Sequence, residues 1–200
     1  MKLHTFWHYP KLFLTFFVII LIPVYWHYYG PQNFLWLSDI GLFLTIIALW
    51  LHSTLLMSMA AVGVLFVEIL WNVDFFAHLF FNVTITGLSD YMFNSTYPYA
   101  LRALSLFHIV MPGIWLVYSA QKGYDRRALL YFTPLYWAII FSTYWLTVPE
   151  ENINWVFWSS ARAVQTISPQ MGVILLAIGF PLLILLPTHI ILKKMLRKVS

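Results

Sequence analysis

Long apolar runs, each closed by turn formers, aromatics or charges, organise this chain. The first spans about 11–29 and ends in Tyr25-Trp26-His27-Tyr28-Tyr29, a cluster of amphipathic rings suited to a membrane–water boundary. Gly30-Pro31-Gln32-Asn33 then reads as a tight turn. Further runs cover about 34–51, 55–71, 101–120, 129–148 and 171–192. Each approaches the roughly 20 apolar residues that a helix needs to cross a bilayer. The segment 72–99 is apolar and aromatic but broken by Asp74, His78, Asn82, Asp90, Asn94 and Pro98. That is too much polarity for easy lipid exposure, so an interfacial or re-entrant segment is expected there. Pro23, Pro112, Pro134, Pro181 and Pro187 fall inside the runs and predict bent helices.

Composition agrees with this pattern. Hydrophobic residues make up 62% of the 200 positions and charged residues only 9%, against about a quarter charged in a soluble domain. The expected fold is an all-α integral membrane protein: one polytopic helical bundle, residues 1–200 as a single transmembrane domain, with six transmembrane helices and seven as the alternative. The absence of cysteine excludes disulfides, thiolate nucleophiles and cysteine metal ligands. A small-residue cleavage site does not follow the first run, which therefore reads as a span rather than a removable leader.

Charge position orients the bundle. Lys193, Lys194, Arg197 and Lys198 follow the last run directly, and Lys122, Arg126 and Arg127 share one short loop. Basic clusters beside spans mark cytoplasmic loops and attract anionic headgroups. Both termini are expected on the cytoplasmic side, and a bacterial inner (plasma) membrane is the expected location. The net charge of +4 is not spread over a basic face, which speaks against nucleic acid. The expected partners are membrane lipids, with another membrane protein as a further candidate.

With that topology the polar residues gather toward the outer face. An ionisable group inside a span costs about 2.5–3.5 kcal/mol on insertion scales, so it normally faces the bundle interior or a water-filled cavity. Asp39, Glu68 and His108 come from three runs and lie at similar depth. If 68–78 stays helical, Glu68 and Asn72 share a face, as do Asp74 and His78. Glu68, His108, Asp39, Asp74 and His78 are therefore the catalytic candidates, and Asp74 with His78 the candidate ligands for a divalent metal. Asp39 with Ser38 is alternatively a helix cap. Arg102, Asn154 and Arg162 are candidate substrate contacts, the arginines suiting a phosphate headgroup. His27 and His108 are the pair that a bis-histidine haem would use.

A membrane-embedded enzyme acting on a lipid or apolar substrate near the outer face is the leading expectation. A small transporter or channel would place polar groups at the midplane. A non-catalytic assembly partner would use the aromatic faces, since Phe, Trp and Tyr reach 20%. An arginine-rich voltage-sensing helix, a glycine-rich phosphate loop and an HExxH pair are all missing from the sequence.

Overall fold

The computed structural model describes residues 6–157 and 167–196, and among them every regular element is helical. In chain order they form α1 (His8–Tyr29), α2 (Leu37–Leu51), α3 (Thr54–Phe81), α4 (Tyr99–Lys122), α5 (Ala128–Leu146) and α6 (Pro169–Met195). All but α2 are long and apolar enough to cross a bilayer. The expected span over 34–51 is met by a 3-10 turn, Pro31–Leu35, followed by the 15 residues of α2. At 1.5 Å per residue that helix reaches about 22 Å, short of a hydrocarbon core of about 30 Å. Left-handed backbone at His52 (φ 52°) ends it, and Ser53 caps α3 by accepting from the Leu56 amide at 3.3 Å.

The central rod is α3. Of its most apolar stretch 61% is buried, against 17% for α1 and α6, which leave most of their surface outside. A helix apolar on every side belongs in the interior. Its neighbours are α2, α4, α5 and the second half of α6, while α1 packs on α2 and on the start of α4. Small residues let these rods approach closely. A Cβ on Gly63 would overlap the Phe132 ring of α5.

The expected change from a span to an interfacial or re-entrant segment at residue 72 is not marked by any break in the helix. Helix α3 continues to Phe81, and left-handed Asn82 (φ 54°) closes it. Its 28 residues reach about 42 Å, some 12 Å more than the hydrocarbon core. The polar residues are satisfied where they stand: Asn72 donates to two carbonyls and Asp74 collects loop amides, so the helix has no reason to break. Only residues 83–98 form the irregular segment, with one 3-10 turn at Asp90–Met92.

Two of the prolines leave a visible mark. Pro112 lacks the N–H that would serve the His108 carbonyl, and the Asn72 side chain donates to that oxygen instead at 2.8 Å. Pro181 strands the Ala177 carbonyl in the same way, and the Trp137 indole N–H serves it at 2.8 Å. Residues Pro181–Leu185 form a π-helical turn, the kind of irregularity that bends helices.

Side-chain bonds fix which helix ends meet. At one pole Trp7 Nε1 donates to Gln121 (2.9 Å), the Asp125 amide to Ser58 Oγ (3.0 Å), and Tyr124 pairs with His189 (2.8 Å). The opposite pole joins the end of α1, the start of α2, the second half of α3, the start of α4 and the connector after α5. The candidate site is there.

Candidate functional site

Glu68 in α3 and His108 in α4 form a buried pair. Glu68 Oε2 lies 2.7 Å from His108 Nδ1, and the two residues are 1% and 9% exposed. A carboxylate that accepted from Nδ1–H would hold the imidazole in the tautomer whose Nε2 bears the lone pair. The ring is held flat between neighbours: Trp71 stacks on it at 4.5 Å and Phe107 at 4.2 Å between centroids. Asn72 locks the two backbones together, since its amide nitrogen donates to the Glu68 carbonyl (2.7 Å) and to the proline-freed His108 carbonyl (2.8 Å). The proline-freed carbonyl and the pair geometry are thus one construction.

Asp39 joins them from α2. It is 2% exposed, its Oδ2 is 3.5 Å from Asn33 Nδ2, and its Oδ1 has no hydrogen-bond partner, nor has Glu68 Oε1. Its place in the first turn suits a carboxylate, because the helix dipole is positive there. The alternative of a Ser38-Asp39 cap does not hold: neither side chain caps α2, and Asn154 Oδ1 takes the Leu37 amide at 3.1 Å instead.

Asp39, Glu68 and His108 line one cavity of about 650 Å³, within the range of small-molecule sites. Tyr25, which shares a 2.8 Å hydrogen bond with Ser105, lies on its wall, as does Tyr91 of the 83–98 segment. Burial pushes the Tyr91 phenol well above its ordinary value, so it is a neutral hydroxyl at pH 7. Glu150 and Glu151 also line the cavity, and Gln32 Nε2 donates to Glu151 at 2.5 Å.

The other candidates fall elsewhere. Asp74 and His78 do not pair and do not line the cavity. Asp74 Oδ1 accepts from the amides of Ile85, Thr86 and Gly87, and Oδ2 from the amide and hydroxyl of Ser89, at 2.7–3.2 Å. Five donors occupy that carboxylate, so it shapes the loop and has no lone pair to spare for a metal. His78 stacks on Phe93 at 3.8 Å, with Asp90 Oδ1 3.8 Å away. Among the described residues no group of three or more His, Asp or Glu side chains is gathered as a metal would require. Arg102 donates to the Met92 carbonyl at 2.7 Å and lies over the Tyr99 ring, tying the loop to α4 rather than lining the cavity. Asn154 does line it, but its amide is spent on Leu37, on the Leu35 carbonyl (2.8 Å) and on Thr143 (3.4 Å). Arg162 lies outside the described residues. His27 is exposed near the end of α1, stacked edge-on against Tyr28, and does not meet His108.

Sequence reasoning passed over Asn72 as the clamp, and Tyr25, Trp71 and Tyr91 as wall residues. One signal was available for the clamp: Pro112 follows His108 by four positions, which announces an orphaned carbonyl beside an ionisable side chain. Comparison of the chain with known protein families, with curated proteins and with solved structures finds no match.

Proposed function

We propose that this helical, apolar chain is a membrane-embedded enzyme that uses the Glu68–His108 pair for proton transfer on a lipid or apolar substrate. The observation that carries the reading is the 2.7 Å carboxylate–imidazole contact on the wall of a ligand-sized cavity. Burying such a pair in a helical bundle is expensive unless it is used or fully satisfied. In this reading His108 Nε2 takes the proton of an attacking hydroxyl and returns it to the departing group. Glu68 is the positioning residue that holds the tautomer and stabilises the imidazolium between the two events. Asp39 supplies a second carboxyl at the same wall. The basic residues Lys122, Arg126, Arg127, Lys193 and Lys194 cluster at the opposite pole, which favours a cavity opening away from the cytoplasm and a plasma-membrane location. The transporter reading draws less support. Below the cavity Leu42, Leu49, Met57, Ala61 and Met111 are buried and apolar, and the buried hydroxyls of Thr45 and Ser58 are engaged by Trp115 and the Asp125 amide, which leaves little for a polar route onward.

The test compares lipid extracts by untargeted mass spectrometry. Cells producing the wild type, Glu68→Gln, His108→Gln or empty vector are matched for protein abundance. The wild type is expected to shift at least one lipid species, and His108→Gln to slow that change by roughly 100-fold, the usual scale of a lost general base. Glu68→Gln should also displace the pH profile of the residual activity, which a merely structural residue would not do. Identical profiles for wild type and empty vector would overturn the enzyme reading.

A further inference from the structure

The ionisable side chains that line the cavity are acidic, with one histidine among them. They are Asp39, Glu68, Glu150 and Glu151, with His108, and among the described residues no lysine or arginine lines the cavity. An anionic group lodged beside Asp39 and Glu68 would find no lysine or arginine among the lining residues. A neutral apolar molecule would leave Asp39 Oδ1 and Glu68 Oε1, both buried and without partners, as they are. Those two oxygens are the independent sign that a positively charged or hydroxyl-bearing group belongs beside them, since buried polar atoms in native proteins are nearly always satisfied. The rest of the wall is aromatic. Tyr28, Tyr29, Trp36, Tyr97 and Trp155 line it along with Trp71 deeper in. Aromatic faces present negative quadrupole density and attract ammonium groups within about 6 Å, most strongly where water is excluded. Carboxylates and aromatic rings without basic residues make up the composition that recognises an organic cation.

We propose that the cavity binds an alkylated ammonium group, borne either by a free amine such as choline or by the headgroup of a zwitterionic lipid whose phosphate stays at the cavity mouth. This deepens the preceding reading and rests on the same cavity being the substrate site: the ammonium is the handle by which a substrate is held, and the Glu68–His108 pair acts on the bonds next to it. Asp39 is its principal partner, because Glu68 is already engaged by His108. The volume also sets a size. About 650 Å³ accommodates a headgroup and a short stretch of glycerol or alkyl chain, not a whole lipid.

The test uses the purified full chain in maltoside micelles and reads quenching of its intrinsic tryptophan fluorescence. Choline is titrated against 3,3-dimethylbutan-1-ol, its uncharged isostere, and dihexanoyl phosphatidylcholine against dihexanoyl phosphatidylglycerol. Choline should saturate at a concentration at least about tenfold below the isostere, the scale of a desolvated cation–π contact. Phosphatidylcholine should likewise exceed phosphatidylglycerol, and whichever of choline and phosphatidylcholine binds more tightly identifies the source of the ammonium. Asp39→Asn should weaken both cations about tenfold and leave the isostere unchanged. Should that variant not fold, the wild-type comparison of choline with the isostere decides alone. Equal binding of charged and uncharged probes overturns the proposal. If it fails while Glu68→Gln still abolishes the lipid change, the acid–base reading survives. If ammonium binding holds and the lipid profiles do not differ, the cavity is a cation site without that chemistry.

Discussion

Replacing Asn72 by leucine removes the donor that serves the His108 carbonyl, and Pro112 ensures that no backbone amide can take over. The Glu68 carbonyl is less affected, because it lies inside the continuous helix α3 and has a backbone amide four residues on. The cost is therefore that of one buried carbonyl left without a partner, about 1–3 kcal/mol. For a chain of this length that corresponds to a fall in midpoint of roughly 2–12 °C. Thermal unfolding in micelles, followed by far-ultraviolet circular dichroism at fixed scan rate, measures it. The diagnostic step is a double-mutant cycle with Pro112→Ala. The alanine restores an N–H four residues after His108, so α4 can satisfy the freed carbonyl by itself. In that background Asn72→Leu should cost at least about 1 kcal/mol less than in the wild type, well outside the 0.3–0.5 kcal/mol within which independent substitutions add. An unchanged cost in the two backgrounds would refute the account of the clamp, since the amide would then be stabilising the fold by some other contact.

Gly63→Ala should lower the midpoint as an overpacked site does, by about 1–3 kcal/mol, because its new Cβ meets the Phe132 ring; Phe132→Leu should recover much of the loss, which the same melts report. Asp74→Ala strips the amides of Ile85, Thr86, Gly87 and Ser89 of their acceptor, so hydrogen exchange across 85–89 should accelerate by about tenfold or more, with helix α5 unaffected. Asp125 answers to pH. The hydrogen bonds from the Arg127 guanidinium hold its carboxyl below the usual carboxylate value, so the pair contributes stability above about pH 4 that is lost as pH falls through the depressed value. Asp125→Asn should thus lower the midpoint at pH 7 by a small amount and much less at pH 3; an equal loss at both would exclude the ion pair as the cause.

Where ionisable residues interrupt apolar sequence, their depth was legible, because hydrocarbon penalises them wherever they fall. Asp39, Glu68 and His108 stand out on that ground alone, and the stacking of Glu68 with Asn72 follows from helical spacing. The run boundaries were less so. Helix α3 outlasts its apolar stretch by ten residues because Asn72 and Asp74 find partners that are distant in sequence: the His108 carbonyl is 36 positions away and the loop amides are 11 to 15. Backbone amides carry no sequence signature, so nothing in Asp74-Phe75-Phe76-Ala77-His78 distinguishes a loop anchor from a metal ligand. The shortness of α2 was hidden for a related reason. Gly30 (φ 81°) and Pro31 turn the chain, but Phe34 to Leu37 read as apolar helix until Asn154, from a connector more than a hundred residues later, is seen to hold the first amide of α2.

The two proline-freed carbonyls separate architecture from chemistry in this bundle. At each, a side chain from the next helix supplies the missing hydrogen bond: Trp137 for Ala177, Asn72 for His108. Lipid cannot hydrogen-bond an exposed carbonyl, so either capture is explained by satisfaction of the backbone alone. The difference lies in what surrounds them. Trp137 sits between α5 and α6 with no ionisable group bonded to it, and a large indole covers the gap. Asn72 is a small amide that leaves room beside it, and that room is occupied by a carboxylate, an imidazole and a cavity. An apolar cap with one N–H would have met the needs of the fold at both places. Only at α4 is the proline-freed carbonyl combined with two helices pinned at the level of a Glu–His contact. There the two backbones cannot slide without pulling the 2.7 Å Glu68–His108 contact apart, which is the rigidity that the proposed acid–base role would use.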